Sequence, residues 1–539
     1  MVLPQNIKHK LISFAIGISA ALFPSVALAA ERITFSLKPF GQFQIEVEDL
    51  EAFVATGART TELNYYLKRL TPEQLARLPE LLSTPLGFNP LTIAKFSNST
   101  VGEVAIANLG KGIRASSTRN GFYALRSAII AAAFDDSGLT LINLLHHYPL
   151  ETVYLDLGVL TQYLQRAAEI AQNRQAIDRT WFTKDGDRAA YPQGNRDKAP
   201  ADIFPQSQDL QTLGKYDWQK QTLTYNNPHR DKTGFFDLYQ PKIAGSLPLI
   251  AISHGMASNR QTFAYLGEHL ASHGFAVAVI EHEEMSLDKF DRVLAGTEPF
   301  PEAENLIDHP LDVSSVLDRL ESEANIDLQR VGVIGQSFGG YGALALSGAK
   351  LSPQSNSPVC QQENYADVLL DLSSLAQCAF VRGNLSQLKL QDSRVKALVA
   401  INPMAKIFGR GINSVQTPTM MISGTNDLIM PPVAEQIKPF AELDHNLDKY
   451  LIIVKPATHF SFLQEGLGIL PVPDTVVGPR PIYAYPLLKA LTTAFFQVHL
   501  ARQSEYQTYL EQDLTYLSNN AFELSVIRSL SEMELEVFE

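Results

Sequence analysis

Arg330-Val331-Gly332-Val333-Ile334-Gly335-Gln336-Ser337-Phe338-Gly339-Gly340-Tyr341-Gly342-Ala343-Leu344-Ala345-Leu346 decides the fold of this 539-residue chain. The stretch opens as a short apolar, β-branched run, passes through Gly335-x-Ser337-x-Gly339 and continues with small residues at helical spacing. It predicts a strand, a tight turn and a helix. A serine on such a turn is held in a strained backbone conformation, and only glycines two positions to either side fit beside it without collision. The strain lifts the hydroxyl above the sheet at a helix N-terminus, where backbone N–H groups favour developing negative charge. G-x-S-x-G also occurs in ordinary loops; the preceding strand and the glycine-rich helix after it make Gly335, Ser337 and Gly339 read as a nucleophile elbow.

A serine hydroxyl near its free pKa is a poor nucleophile at neutral pH, so Ser337 needs a base and an acid to orient that base. After such an elbow the chain order is serine, acid, histidine. Three histidines follow: His445, His459 and His499. His459, in Pro456-Ala-Thr-His-Phe-Ser461, comes directly after the last predicted strand. His445 sits among Asp444, Asn446 and Asp448 in a solvated loop, and His499 falls inside a predicted helix. His459 is therefore the expected base. Asp427, in Ser423-Gly-Thr-Asn-Asp427, follows the seventh strand of the second domain and is the expected acid, holding the imidazole tautomer and stabilising the imidazolium. Acyl transfer also needs donors for an oxyanion. One is the N–H of Phe338; the other is that of Met256, in the turn Ser253-His-Gly255-Met256 after the third strand.

Composition bounds the rest. The chain is 45% apolar and 19% charged, an ordinary globular composition, and its length calls for two domains. Forty-four basic against 57 acidic residues give a charge of −13, with no electrostatic reason to expect nucleic acid or an anionic membrane as partner. Residues 1–29 read as a signal peptide, with Lys8 and Lys10, an apolar run from Leu11 to Phe23 and Ala27-Leu28-Ala29 as the cleavage site. Cleavage leaves 42 minus 57, or −15. An exported protein, periplasmic or secreted, without a transmembrane segment is expected; an uncleaved anchor is the alternative, but the run falls short of the roughly 20 residues that span a bilayer. Cys360 and Cys378 either form a disulfide, worth about 3 kcal/mol by chain entropy, or remain two thiols. Glu281-His282-Glu283-Glu284 lacks the second histidine of H-E-x-x-H and reads as a supporting loop at the rim, so neither metal nor cofactor is expected.

Along the chain, Arg32–Lys38 and Gln42–Val47 alternate as a short β-ribbon, and residues 49 to about 174 turn helical, giving a mainly helical domain over 30–177. A linker of Asp, Gly, Pro, Gln and Asn covers 178–213. From 214 to 520, a leading antiparallel pair and buried apolar runs alternating with helices indicate a mostly parallel sheet with helices on both faces. Residues 351–392 read as a lid-like insertion over the pocket, and Leu467–Leu488 as apolar wall or plain loop. Residues 521–539 read as a tail, in which Glu532-Met-Glu-Leu-Glu-Val537 alternates as an edge strand or frays.

Ser253-His-Gly-Met256, Leu270-Ala-Ser-His-Gly-Phe275 leading to Val279-Ile-Glu-His282, and Ile334-Gly-Gln-Ser-Phe-Gly-Gly340 resemble the platelet-activating-factor acetylhydrolase group of α/β-hydrolases, chiefly over residues 248–347. The resemblance implies an α/β-hydrolase fold, a serine esterase acting on short or oxidised acyl chains of phospholipids, and an oxyanion held at Met256 and Phe338. That group takes its acid from just after the sixth strand, where this chain has Asn402 in Ile401-Asn-Pro-Met404. An amide cannot stabilise an imidazolium as a carboxylate does, which returns the acid to Asp427. Gly424-x-x-Asp427 and Ala457-Thr-His459-Phe are also similar to the dienelactone hydrolase, cutinase and polyesterase branch. The N-terminal domain resembles the one preceding exported bacterial α/β-hydrolases of unassigned substrate. The expected activity is hydrolysis of a small-molecule or lipid ester; the alternative is a binding protein on a non-catalytic scaffold.

Overall fold

The computed structural model describes residues 29–37, 39–182, 209–230, 232–295, 297, 298, 304–352, 373, 377, 389–465, 474–511 and 517–538. The expected signal peptide up to Leu28, most of the expected 178–213 linker, Cys360 and Cys378 lie outside the described residues. The chain forms two compact units, one of residues up to 86 with 109–157, the other of 87–108 with 158 onward.

In the first unit β1 (Arg32–Leu37) and β2 (Gly41–Glu46) pair antiparallel, as their alternation requires. The helices α1 (Val47–Thr56), α2 (Thr61–Leu67) and α3 (Pro72–Ser83) follow. Thr71 starts α3 with a reciprocal capping box to Gln74 and Pro72 at its first position, which is why the helix begins there. The ribbon is only half of the sheet: β3 (Ile113–Arg114) and β4 (Thr152–Leu155) complete the order β2-β1-β4-β3, with β4 parallel to β1. Four residues of Thr-Val-Tyr-Leu between helices are too short to show a period of their own, and their partner lies far upstream. The helix Leu157–Trp181 groups from residue 158 with the second unit, as do residues 87–108, so 87–108 and 158–177 leave the helical domain expected over 30–177. Its Ala176 and Ile177 are buried in one core with Phe338, Met430 and Leu451, and its Asp178 pairs with Lys455 at 3.1 Å.

The second unit is built on a nine-stranded sheet of order β13-β12-β11-β10-β9-β7-β8-β6-β5. Its strands are β5 (Trp218–Asn227), β6 (Lys232–Pro241), β7 (Leu247–Ser253), β8 (Ala276–Ile280), β9 (Ile326–Gln336), β10 (Val395–Ile401), β11 (Thr419–Gly424), β12 (Lys449–Lys455) and β13 (Glu523–Ile527). β7 to β12 run parallel; β5 with β6, β6 with β8, and β13 with β12 pair antiparallel. Both faces of the central strands are buried, and alternate residues serve different cores. Ile250 and Ile252 of β7 pack with Leu266, Leu270 and Phe496 on one face, and Leu249 and Ala251 with Val316 and Leu346 on the other. Gly332 in β9 makes room for Phe496, since a Cβ there would come 2.5 Å from its ring.

The C-terminal tail is structural. β13 closes the sheet edge inside the expected tail, and Glu532–Glu536, which alternates like a strand, is helical. The Ser531 side chain accepts the Glu534 N–H while the Glu534 carboxylate accepts the Ser531 N–H, and this capping box outweighs the period-2 pattern.

Candidate active site

Ser337 stands between β9 and the helix Phe338–Leu346, with φ 56° and ψ −116°. Such a conformation costs about 1–3 kcal/mol for a residue with a side chain, and its surroundings hold it there. Its N–H donates to the Ile401 carbonyl at 2.8 Å, and its carbonyl accepts the Met404 N–H at 3.2 Å. The flanking glycines are sterically required. A Cβ at Gly335 would come 2.0 Å from the Gly339 carbonyl oxygen, and one at Gly339 would come 2.1 Å from that of Ser253.

The loop after β12 brings His459 over this turn. His459 Nε2 lies 2.9 Å from Ser337 Oγ, and Nδ1 lies 2.7 Å from Asp427 Oδ2. With Nδ1–H donated to the carboxylate, Nε2 is the acceptor for the serine proton. The second oxygen of Asp427 accepts the N–H groups of Ile429 and Met430, both at 2.8 Å, so the carboxylate is held by the turn that follows β11. All three side chains are buried. The Gln336 amide also approaches His459, at 3.3 Å from Nε2 and 3.4 Å from its carbonyl oxygen, a contact with no sequence signature. The other two candidate bases lie elsewhere. His445 is exposed in its loop, and His499 ends a helix 3.5 Å from Asp448.

The histidine loop is braced from three sides. Thr458 donates its N–H to Ser461 Oγ at 2.8 Å and its hydroxyl to the Val477 carbonyl at 2.6 Å. Asn402 Nδ2 donates to the Thr458 carbonyl at 3.1 Å, while its Oδ1 accepts the Gly424 N–H at 2.9 Å. Asn402 therefore clamps the strand that ends before Asp427 to the loop that carries His459. Part of the 467–488 stretch, at Val477, serves as this brace.

The turn after β7 lies against the elbow: a Cβ at Gly255 would come 2.8 Å from Ser337 Cβ and 2.7 Å from Gln336 Oε1. Met256 follows directly, and Phe338 opens the elbow helix. Two cavities among the described residues have linings that do not include Ser337. One of about 400 Å³ is lined by Arg260, Glu281 and Arg292, and one of about 540 Å³ by the helix Leu157–Trp181 and Thr425–Leu428. In the acidic run, Glu281 takes the Arg260 N–H and guanidinium at 3.0 and 3.1 Å, and Glu284 takes Lys232 at 2.6 Å. His282 instead turns inward and is buried. Among the described residues no group of three or more His, Cys, Asp or Glu is arranged to hold a metal ion. Most of the expected 351–392 insertion lies outside the described residues; within it Ser373 and Gln377 are buried and both donate to Glu435 Oε1 at 2.7 Å.

Family models match three stretches. One described as alpha/beta hydrolase of unknown function covers residues 29–156, one described as PET hydrolase-like covers 211–376, and the prolyl oligopeptidase family covers 308–465. Cutinase 1 of Thermobifida cellulosilytica is 26% identical over 228 residues, 42% of this chain and 64% of that protein. Cutinase est2 of Thermobifida alba is 33% identical over 22% of this chain and 35% of its own length. Platelet-activating factor acetylhydrolase of Bos taurus is 33% identical over 17% of this chain and 30% of its own. This chain thus spans less than two thirds of each of these relatives, and the likeness to Cutinase 1 extends further than that to the acetylhydrolase. Sheet order, elbow and family matches together give this protein an α/β-hydrolase fold, preceded in the chain by a smaller unit of helices and a four-stranded sheet.

Proposed function

We propose that this protein is an exported serine hydrolase that cleaves carboxylic esters, with Ser337 as nucleophile, His459 as base, Asp427 as its orienting acid, and the N–H groups of Met256 and Phe338 as the oxyanion hole. The reading is carried by one observation, the unbroken relay from Ser337 Oγ through the His459 ring to Asp427 at 2.9 and 2.7 Å. In the reaction Ser337 Oγ attacks the acyl carbon as His459 Nε2 takes its proton. Negative charge builds on the carbonyl oxygen, and collapse expels the alcohol, which receives the proton from His459. Water, activated by the same imidazole, then releases the acid. The longer alignment with cutinases favours acyl esters of the lipid-like or polyester kind over a phospholipid-specific enzyme. Export rests on the signal-like first 29 residues, and no described helix is long and apolar enough to cross a membrane.

A peptidase is the second reading, favoured by the prolyl oligopeptidase match over all three residues of the relay. Hydrolysis of p-nitrophenyl acetate, butyrate and palmitate, with Ser337→Ala as control and a proline-containing chromogenic peptide beside them, separates the readings. The esterase reading expects Ser337-dependent ester cleavage faster than peptide cleavage. Faster peptide cleavage would favour the peptidase, and inert esters with no labelling by a fluorophosphonate would favour a binding protein.

A further inference from the structure

Behind the turn Ser253–Met256 lies a buried group of side chains that the proposed reaction does not use: Ser253, His254, His282, His309 and Asp312. Ser253 Oγ is 2.9 Å from His282 Nε2, and His282 Nδ1 is 3.0 Å from Asp312 Oδ2. The atoms repeat the order of a catalytic relay, but Ser253 ends a β-strand beneath the elbow helix, its carbonyl packed where Gly339 has no Cβ. The cluster points at the turn instead. His309 Nε2–H donates to the His254 carbonyl at 3.1 Å, and His254 Nδ1–H donates to the Gly255 carbonyl at 2.8 Å. His254 Nε2 accepts the His282 N–H at 3.1 Å, which fixes its tautomer. A peptide unit is planar and trans, so pinning the Gly255 carbonyl aims the Met256 N–H the opposite way. Burial holds all three imidazoles below the ordinary histidine value, so each is neutral and keeps one donor and one acceptor.

His309 also touches the other half of the hole. Its ring meets that of Phe338 edge-on at 4.9 Å and stacks on His282 at 3.6 Å. Gly342 of the elbow helix leaves room for it, since a Cβ there would come 3.2 Å from His309 Nδ1. We propose that His309 is a positioning residue that holds the Met256 turn and the Phe338 helix start in register, with His282 and Asp312 fixing its ring from behind. Asp312 lies one helical turn beyond His309 and carries Arg230 at 2.9 Å and Asn227 Nδ2 at 2.9 Å, which anchors the far end.

The inference rests on the esterase reading, and its test separates the two. The full chain is assayed with p-nitrophenyl butyrate and its thiono counterpart, whose sulfur accepts hydrogen bonds poorly, so the oxygen-to-sulfur rate ratio reports the oxyanion hole. His309→Leu is expected to lower kcat on the oxygen ester about 10- to 100-fold while KM moves less than about threefold. The oxygen-to-sulfur ratio should narrow. His309→Gln, whose amide can replace the Nε2–H donor, should restore much of both. Should His309→Leu fail to fold, Gly342→Ala, which crowds the His309 ring, should narrow the ratio in the same direction. A ratio unchanged in every variant, or a kcat loss that glutamine does not restore, overturns the positioning role. Wild-type enzyme without Ser337-dependent ester hydrolysis would sink the esterase reading itself.

Discussion

Asn402 donates to the Thr458 carbonyl at 3.1 Å, tying the end of β10 to the residue before His459. It occupies the position from which the platelet-activating-factor acetylhydrolase group takes its acid, yet it touches backbone on both sides and leaves the imidazole to Asp427. The relay and its clamp thus come from adjacent strand ends and do different work.

Moving the carboxylate between those strand ends should therefore fail. Asp427→Asn is expected to lower kcat about 10⁴-fold, as when an amide replaces the acid of such a relay. Adding Asn402→Asp should not rescue it, because a carboxylate there faces the Thr458 carbonyl and loses a donor. Steady-state kinetics of the single and double variants decide this, and recovery in the double variant would place the functional acid at the end of β10.

Gly255→Ala tests the close approach of the turn to Ser337. The new methyl would sit 2.8 Å from Ser337 Cβ, so the turn must retreat from the elbow. A shift of roughly an ångström at this place should cost about 10²-fold in kcat with the fold intact by circular dichroism. Wild-type kcat in this variant would show that the turn does not act at Ser337.

Acid should weaken the fold through its buried imidazoles. Burial holds His254, His273, His282 and His309 below their ordinary value and His269 down to about 2. Each takes up a proton on unfolding at pH values between its folded and its unfolded pKa, so stability is lost as pH falls below about 6.5. Asp312 has the opposite sign: burial pushes its carboxyl up to about 6, so between about 6 and the ordinary carboxylate value it favours the folded state as pH falls. Five imidazoles outweigh one carboxyl. Urea midpoints should drop from pH 7 to pH 5, each net proton contributing roughly 1.4 kcal/mol per pH unit. A midpoint that is flat or rises over that range would contradict the buried neutral histidines.

Much of the second unit was legible because its signals are local. Leu247–Ser253 and Val395–Ile401 are mostly apolar runs, the second broken only by the exposed Lys396, and both form strands over those spans. Ser337, Asp427 and His459 stand at turns marked by glycine or proline, and the fold brings them within hydrogen-bond reach. What escaped depends on distant partners. β4 pairs with a strand far upstream, and the helix Leu157–Trp181 keeps its helical period whichever unit it packs on. His309 and Asp312 left only a weak trace, polar residues one turn apart in a helix, and nothing local ties them to the turn after β7. Glu532–Glu536 shows the converse error, a period of two overruled by the capping box between Ser531 and Glu534.

The acyl group left by p-nitrophenyl butyrate, trapped by acid quench in the first turnovers and located by peptide mass spectrometry, reports the nucleophile directly. It is expected on Ser337, in the same amount as the initial burst of p-nitrophenol, and absent from Ser337→Ala. An acyl group on another residue, or hydrolysis by Ser337→Ala at the wild-type rate, would contradict the assignment of Ser337 as nucleophile.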